Sequence, residues 1–199
     1  MAEGTVEGVV RLVPTQKRSR ERFEKILSAA QDLLLEKGAE GFRMSELVQR
    51  SGVPFGSLYQ YFPDRSAVLG TLAERYNAEG RACVAAELTR LRQPSDRPQV
   101  LSRITDGFYR MYQDYPVMRA VWQATQADPV LQRLDAQDSA QLARMLAEAQ
   151  SGTTADAEAF ARAGLAITLI GAAVRHAITL PPAEADLVLT EFKRLIGAT

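Results

Sequence analysis

The stretch Ser51-Gly-Val-Pro-Phe-Gly-Ser-Leu-Tyr-Gln-Tyr-Phe-Pro-Asp-Arg65 decides how the chain folds at its N-terminal end. Ahead of it, Met44 to Arg50 reads as a short helix, with Leu47 and Val48 apolar among Ser45, Glu46, Gln49 and Arg50. Gly52 follows where a helix end needs a residue that tolerates left-handed backbone, and Val53 packs under the bend. A second short helix runs from about Pro54 or Phe55 to Phe62 and is stopped by Pro63. Helix, glycine turn and helix within roughly 20 residues make a helix-turn-helix, a layout whose second helix lies in the DNA major groove.

The second helix carries side chains suited to that task. Leu58 and Phe62 are four apart and share one face, which packs on the rest of the domain. Ser57, Tyr59, Gln60 and Tyr61 are left to point elsewhere. Hydroxyls and an amide reach phosphates and base edges, and aromatic rings lie against thymine methyls. Gly56 and Ser57 leave the helix N-terminus uncrowded, so that its free N–H groups can face a phosphate.

The run from Gly52 to Arg65 resembles the signature of TetR-type transcriptional regulators, in which a glycine-valine turn precedes a short helix of the form G-[ST]-L-Y-x-[HY]-F. The resemblance extends from about Arg20 to Leu72. It implies an all-α protein of about nine helices. A three-helix DNA-binding domain (residues 19–65) would follow a flexible, basic-ended arm (residues 1–18). A helical effector-binding and dimerisation domain (residues 66–199) would come after it. Carried onto this chain, the DNA-contacting set is Arg43, Ser45, Phe55, Gly56, Ser57, Tyr59, Gln60, Tyr61 and Arg65. Two positions depart from the family pattern. Where relatives place a capping threonine this chain has Arg43, which puts the cap in doubt while offering a charge to phosphate. Where a lysine is common it has Arg65, which keeps the charge and adds a planar fork.

Composition agrees with a protein of this kind. The 46% hydrophobic content is ordinary for a globular chain. The longest apolar stretch, Ala163 to Val174, reads as too short to span a membrane, and no signal peptide is visible. A single cysteine, Cys83, excludes an internal disulfide and fits a reducing cytoplasm. Cys83 reads as a redox sensor or, more simply, as a packed thiol. The zero net charge splits unevenly: residues 11–65 hold ten Lys/Arg against seven Asp/Glu. The excess is modest, so phosphate geometry rather than a bulk basic field would hold DNA.

Taken in order, residues 1–16 lack periodicity, and Lys17, Arg18, Arg20 and Arg22 make their end basic. They read either as a tail reaching phosphates or the minor groove, or as the solvated start of the first helix. That helix runs from about Ser19 to Lys37, with Phe23, Ile26, Leu27, Ala30, Leu33 and Leu34 at helical spacing and Gly38 at its end. Asp64 caps a fourth helix reaching about Arg92, a stiff connector between the domains. Further helices span about Pro98–Tyr115, Pro116–Gln126, Pro129–Gln150, Ala155–Leu180 and Ala183–Ile196, with residues 151–154 closing the seventh. The eighth carries Gly164 and Gly171 seven apart in a stripe with Ile167, Val174 and Ile178. The family pairs its last two helices into a homodimer, although the stripe fits internal packing equally well.

The resemblance also implies an apolar effector pocket. Its candidate lining is Phe108, Met111, Tyr112, Met118, Trp122, Gln123, Met145, Arg175 and His176, most of which would serve equally as ordinary core. The partners implied are a palindromic double-stranded DNA operator, an unidentified small effector and a second copy of the chain. A regulator without an effector is the alternative. A helical-bundle enzyme or carrier finds little support: there is no phosphate loop, nucleotide fingerprint, metal-ligand spacing or catalytic triad, and no cofactor is implied.

Overall fold

The structure is a computed structural model of the 199-residue chain and describes residues 16–151 and 155–197. Among the described residues there are nine α-helices and no strand. They are α1 (Lys17–Gly41), α2 (Met44–Ser51), α3 (Phe55–Tyr61), α4 (Arg65–Leu88), α5 (Arg97–Asp114), α6 (Val117–Ala127), α7 (Pro129–Ser151), α8 (Ala157–Ala177) and α9 (Pro182–Leu195). The expected arm lies mostly, and the loop closing the seventh helix largely, outside the described residues.

Two compact units share these helices. Met1–Tyr76 with Pro116–Asp135 forms the first, and Asn77–Tyr115 with Ala136–Thr199 the second. The division differs from the sequence boundary after residue 65, because the start of α4 and the whole of α6 go with the N-terminal helices. The cause is burial. Val117, Ala120, Val121 and Ala124 of α6 and Ala67, Val68, Leu69 and Leu72 of α4 lie in one core with Phe23, Ile26, Leu27, Leu33 and Leu34 of α1. Each large side chain removed from water there contributes about 1.5–3 kcal/mol.

In that first unit, Gly38 does end the regular part of α1, with φ 68° and ψ −178° inside the helix bounds. A further helical turn then brings Phe42 into the core. Asp64 caps α4 as expected, its Oδ1 accepting from Ala67 N at 2.8 Å. α4 stops at Leu88 rather than Arg92, because the Asp96 carboxylate accepts from the amides of Arg92 and Gln93 at 3.0 Å each and fixes a turn there.

The second unit buries Val84, Val100, Leu101, Ile104, Leu142, Leu146, Ile167, Ile170, Val174 and Leu189. Small residues set its spacing. A Cβ placed on Gly107 would fall 2.4 Å from Cys83 Sγ, and one on Gly80 would fall 3.2 Å from Phe108 Cε1. Arg81 pairs with Asp138, and Lys193 Nζ lies 2.5 Å from Asp106 Oδ1.

α8 is apolar on both its inward and its outward face. At 21 residues it is long and apolar enough to cross a membrane by length and composition alone, unlike the shorter run read from the sequence. Its Ala163, Ile167, Ile170 and Val174 instead lie in the core of the second unit. The stripe of Gly164, Ile167, Gly171, Val174 and Ile178 is therefore the inward face, with Ala143 Cβ 3.8 Å from a Cβ built on Gly164. The apolar side chains that α8 and α9 leave exposed are different ones: Phe160, Leu165, Leu169, Leu187 and Leu195.

Candidate nucleic-acid interface

α2, the turn and α3 form the expected helix-turn-helix within the first unit. Gly52 takes φ 60° and its N–H reaches Val48 O at 3.2 Å, closing α2. Buried Ser51 ties the turn from inside, its hydroxyl lying 3.3 Å from both Val48 O, to which it donates, and Val53 N, from which it accepts. Val53, Leu58 and Phe62 are buried under the bend. Phe62 stacks on Phe23 of α1 with ring centroids 5.0 Å apart. These contacts leave one side of α3 free.

That free side carries Phe55, Gly56 and Gln60 exposed, with Ser57 and Tyr59 half-exposed. Phe55 is 63% exposed, and its ring lies 4.3 Å from that of Tyr59, centroid to centroid. An apolar ring so open to water is the residue type that meets a thymine methyl. A Cβ on Gly56 would meet nothing within 4 Å, so packing does not demand glycine there. Its absence of side chain keeps the backbone at the start of α3 open to close approach.

The remaining sequence candidates behave differently. Tyr61 is turned to α1: its ring meets Phe23 edge-on at 6.0 Å and its hydroxyl lies 2.6 Å from Ser19 Oγ. Arg65 is half-buried, donates from Nη2 to Ala39 O at 2.6 Å, and leaves Nε buried without a partner. Both residues hold the domain together, and that role was not legible at separations of 42 and 26 residues. Ser45 is exposed. Arg43 is exposed as well, and its side chain caps no N–H of α2. Nη1 bends back instead to Glu40 O and Phe42 O, at 2.5 and 3.1 Å, where α1 ends. Its other N–H groups remain available to a phosphate.

One cation was missed by sequence reasoning. Lys25 Nζ would lie 3.5 Å from a Cβ on Gly52, placing an ammonium over the turn and the carbonyl end of α2. With Lys17, Arg20 and Arg50 it lines an open groove of about 730 Å³ that also holds Glu21, Glu24 and Asp32. Helical spacing puts Lys17, Glu21, Glu24 and Ser28 on one side of α1, but nothing in the sequence signals that α2 lies beside them.

The effector candidates are divided between the two units. Met118, Trp122 and Gln123 stand on α6 in the first unit, with Met118 packed on its core and Gln123 exposed. Phe108, Tyr112 and Met145 pack against the core of the second unit, where Met111 is half-buried. Arg175 lies over Gly171, its Nη1 2.7 Å from a Cβ built there, and His176 is exposed. Cys83 is half-buried, and burial, joined by Glu87, raises its pKa against the opposing effect of Arg110. That environment disfavours the thiolate. Among the described residues, no group of three or more His, Cys, Asp or Glu could hold a metal ion.

Comparison with known proteins agrees with this geometry. Residues 26–72 match the family described as bacterial regulatory proteins, tetR family, and residues 95–199 match the tetracyclin repressor-like C-terminal domain. The chain is 25% identical over 177 residues to the HTH-type transcriptional regulator BetI of Cronobacter sakazakii, covering 87% of this chain and 86% of that protein. It is 34% identical to the uncharacterized HTH-type transcriptional regulator YvdT of Bacillus subtilis over 58 residues, or 29% of this chain and 30% of that one. A crystal structure of a transcriptional regulator from Rhodococcus superposes with a TM-score of 0.66 at 18% identity, covering 87% of this chain and 93% of that one. The matched families are regulators of transcription and not enzymes.

Proposed function

The chain belongs to the TetR family of DNA-binding transcriptional regulators, and from that premise we propose that it is an effector-responsive repressor, acting on a palindromic operator as a homodimer in the cytoplasm. The observation that carries the DNA half is the free side of α3, where Phe55, Ser57 and Gln60 stand clear of a core that holds Leu58 and Phe62, and half-buried Tyr59 packs on the edge of that core with its ring against Phe55. Gln60 and Ser57 would read base edges, Phe55 and Tyr59 would meet methyl groups or sugars, and Arg43 and Ser45 would meet phosphate.

Support for the homodimer comes from α8 and α9, which expose Leu165 at 60% and Leu187 at 66%. Covering such side chains with a second copy removes apolar area from water, and a twofold axis makes the contact self-complementary. The effector reading rests on the half-buried aromatic and sulfur side chains of α5 and α7 and on the continuity of α4. That helix starts four residues after α3 ends and runs on into the second unit. A ligand favouring the DNA-incompetent form by about 1–3 kcal/mol would shift operator occupancy usefully.

Titration of the purified protein onto DNA flanking its own gene, at two salt concentrations, tests the reading. A complex that resists competitor DNA, weakens with salt and is weakened about tenfold or more in Tyr59→Ala is expected. Equal, weak binding to every sequence would count against it. A regulator without an effector would bind the same DNA and respond to no ligand in a screen run on that assay.

A further inference from the structure

We propose that the second unit holds a binding site for a small organic carboxylate, apart from the aromatic and sulfur-bearing side chains of α5 and α7. The site is a cavity of about 510 Å³ where α4 and α7 end and α5 and α8 begin. Arg92 and Gln93 come from the turn after α4, Arg97 from the first residue of α5, Gln150 from the last turn of α7 and Arg162 from the second turn of α8. Leu91, Pro94, Ala149 and Ala159 complete the wall.

Two independent observations point to an anionic ligand. Three arginines and no carboxylate line the cavity among the described residues. Arg162 is paired with Glu158, whereas Arg92 and Arg97 make no ion pair with a described residue. Asp96, the acid nearest in sequence to both, already accepts from the backbone amides of Arg92 and Gln93 at 3.0 Å each. The second observation is Gln150, whose Nε2 is buried without an acceptor. A buried donor in that state lacks the partner that such groups normally have. A carboxylate seated between Arg92 and Arg97 would give each guanidinium a planar acceptor and offer an oxygen to the Gln150 amide once that side chain turns toward it.

The apolar part of the wall selects among anions. Leu91, Pro94, Ala149 and Ala159 offer nothing to a free phosphate but shield a hydrocarbon chain from water. The ligand class is therefore an acid with an apolar body. This site does not depend on the DNA-binding or effector reading above, and its test uses no DNA.

Calorimetric titration of the full chain with octanoate, octanamide and inorganic phosphate tests it, in the wild type and in Arg92→Gln and Arg97→Gln. Arg92 is exposed, so its variant should fold, and matched melting curves check both variants. Saturable binding of octanoate, about one per chain, is expected. Each substitution should weaken it roughly tenfold, the loss of one charge-assisted hydrogen bond, and octanamide should bind at least as weakly as octanoate binds the variants. Octanoate binding unchanged in both variants, octanamide or phosphate binding as tightly as octanoate, or no saturable heat at millimolar octanoate would each overturn the proposal.

Discussion

At the scale of single residues, the reading surface of α3 separates from the residues that hold it. Tyr59 lies against exposed Phe55, while Tyr61 and Arg65 are engaged with Ser19 and Ala39. Substitutions should divide the same way. Tyr59→Ala is expected to weaken operator binding by about 1–3 kcal/mol, with a smaller loss of stability because its half-buried ring packs partly on the core. Arg65→Ala should cost about 1–3 kcal/mol of stability, because it removes the charged donor 2.6 Å from Ala39 O and leaves that carbonyl only the longer bond from Phe42 N at 3.4 Å. Parallel melting and DNA titrations check both, and an Arg65→Ala protein with unchanged melting would contradict the structural role given to it. The sequence marked this region clearly, since Gly52, Leu58 and Phe62 each have a local reason for their type. It could not distinguish Tyr59 from Tyr61, or show Arg65 turned inward, because those roles depend on residues of α1 brought close only by the fold.

At the scale of elements, helix ends explain what was legible and what was not. Asp64 is readable as a cap from the residues around it, and so is Asp128, which directly precedes Pro129. Asp128 does cap α7, its Oδ1 accepting from Val130 N at 2.8 Å and Leu131 N at 3.4 Å, and it also accepts from the Ser66 hydroxyl on the first turn of α4. Burial acts to raise its pKa, but Ser66, the two amides and the Arg65 charge outweigh this and leave it below the ordinary value. A carboxyl lowered in the folded state stabilises fully above its unfolded pKa, about 3.9, and loses that contribution as pH falls through the folded one. Asp128→Ala should therefore cost about 0.5–2 kcal/mol at neutral pH, and its difference from wild type in urea unfolding should shrink below about pH 4. A gap independent of pH would show that the ionised carboxylate is not the stabilising group. The close approach of α4 and α5 was not legible, because Gly107 and Cys83 are far apart in sequence. Gly107→Ala is expected to destabilise by about 1–3 kcal/mol through overpacking, and Cys83→Ala in the same chain should recover most of it. Calorimetric melting of the two single variants and the double variant measures the coupling.

At the scale of the molecule, helix order and composition were readable from glycines, prolines and apolar spacing, but the grouping of helices was not. α6 sits between two C-terminal helices in sequence, yet Val117, Val121 and Ala124 bury with α1. No local pattern carries that information. The same holds for α8, whose inward and outward faces are both apolar. Leu165→Glu combined with Leu187→Glu should convert the proposed dimer to a monomer in sedimentation at unchanged helix content, and a dimer surviving both charges would place the interface elsewhere. In the proposed function two copies present α3 to DNA together. Selection of bound sequences from a random DNA pool tests it most directly. An inverted repeat is predicted, with half-site centres about 10–10.5 base pairs apart, and it should fail to emerge with Tyr59→Ala. No enrichment, or enrichment of a single half-site without symmetry, would contradict the account.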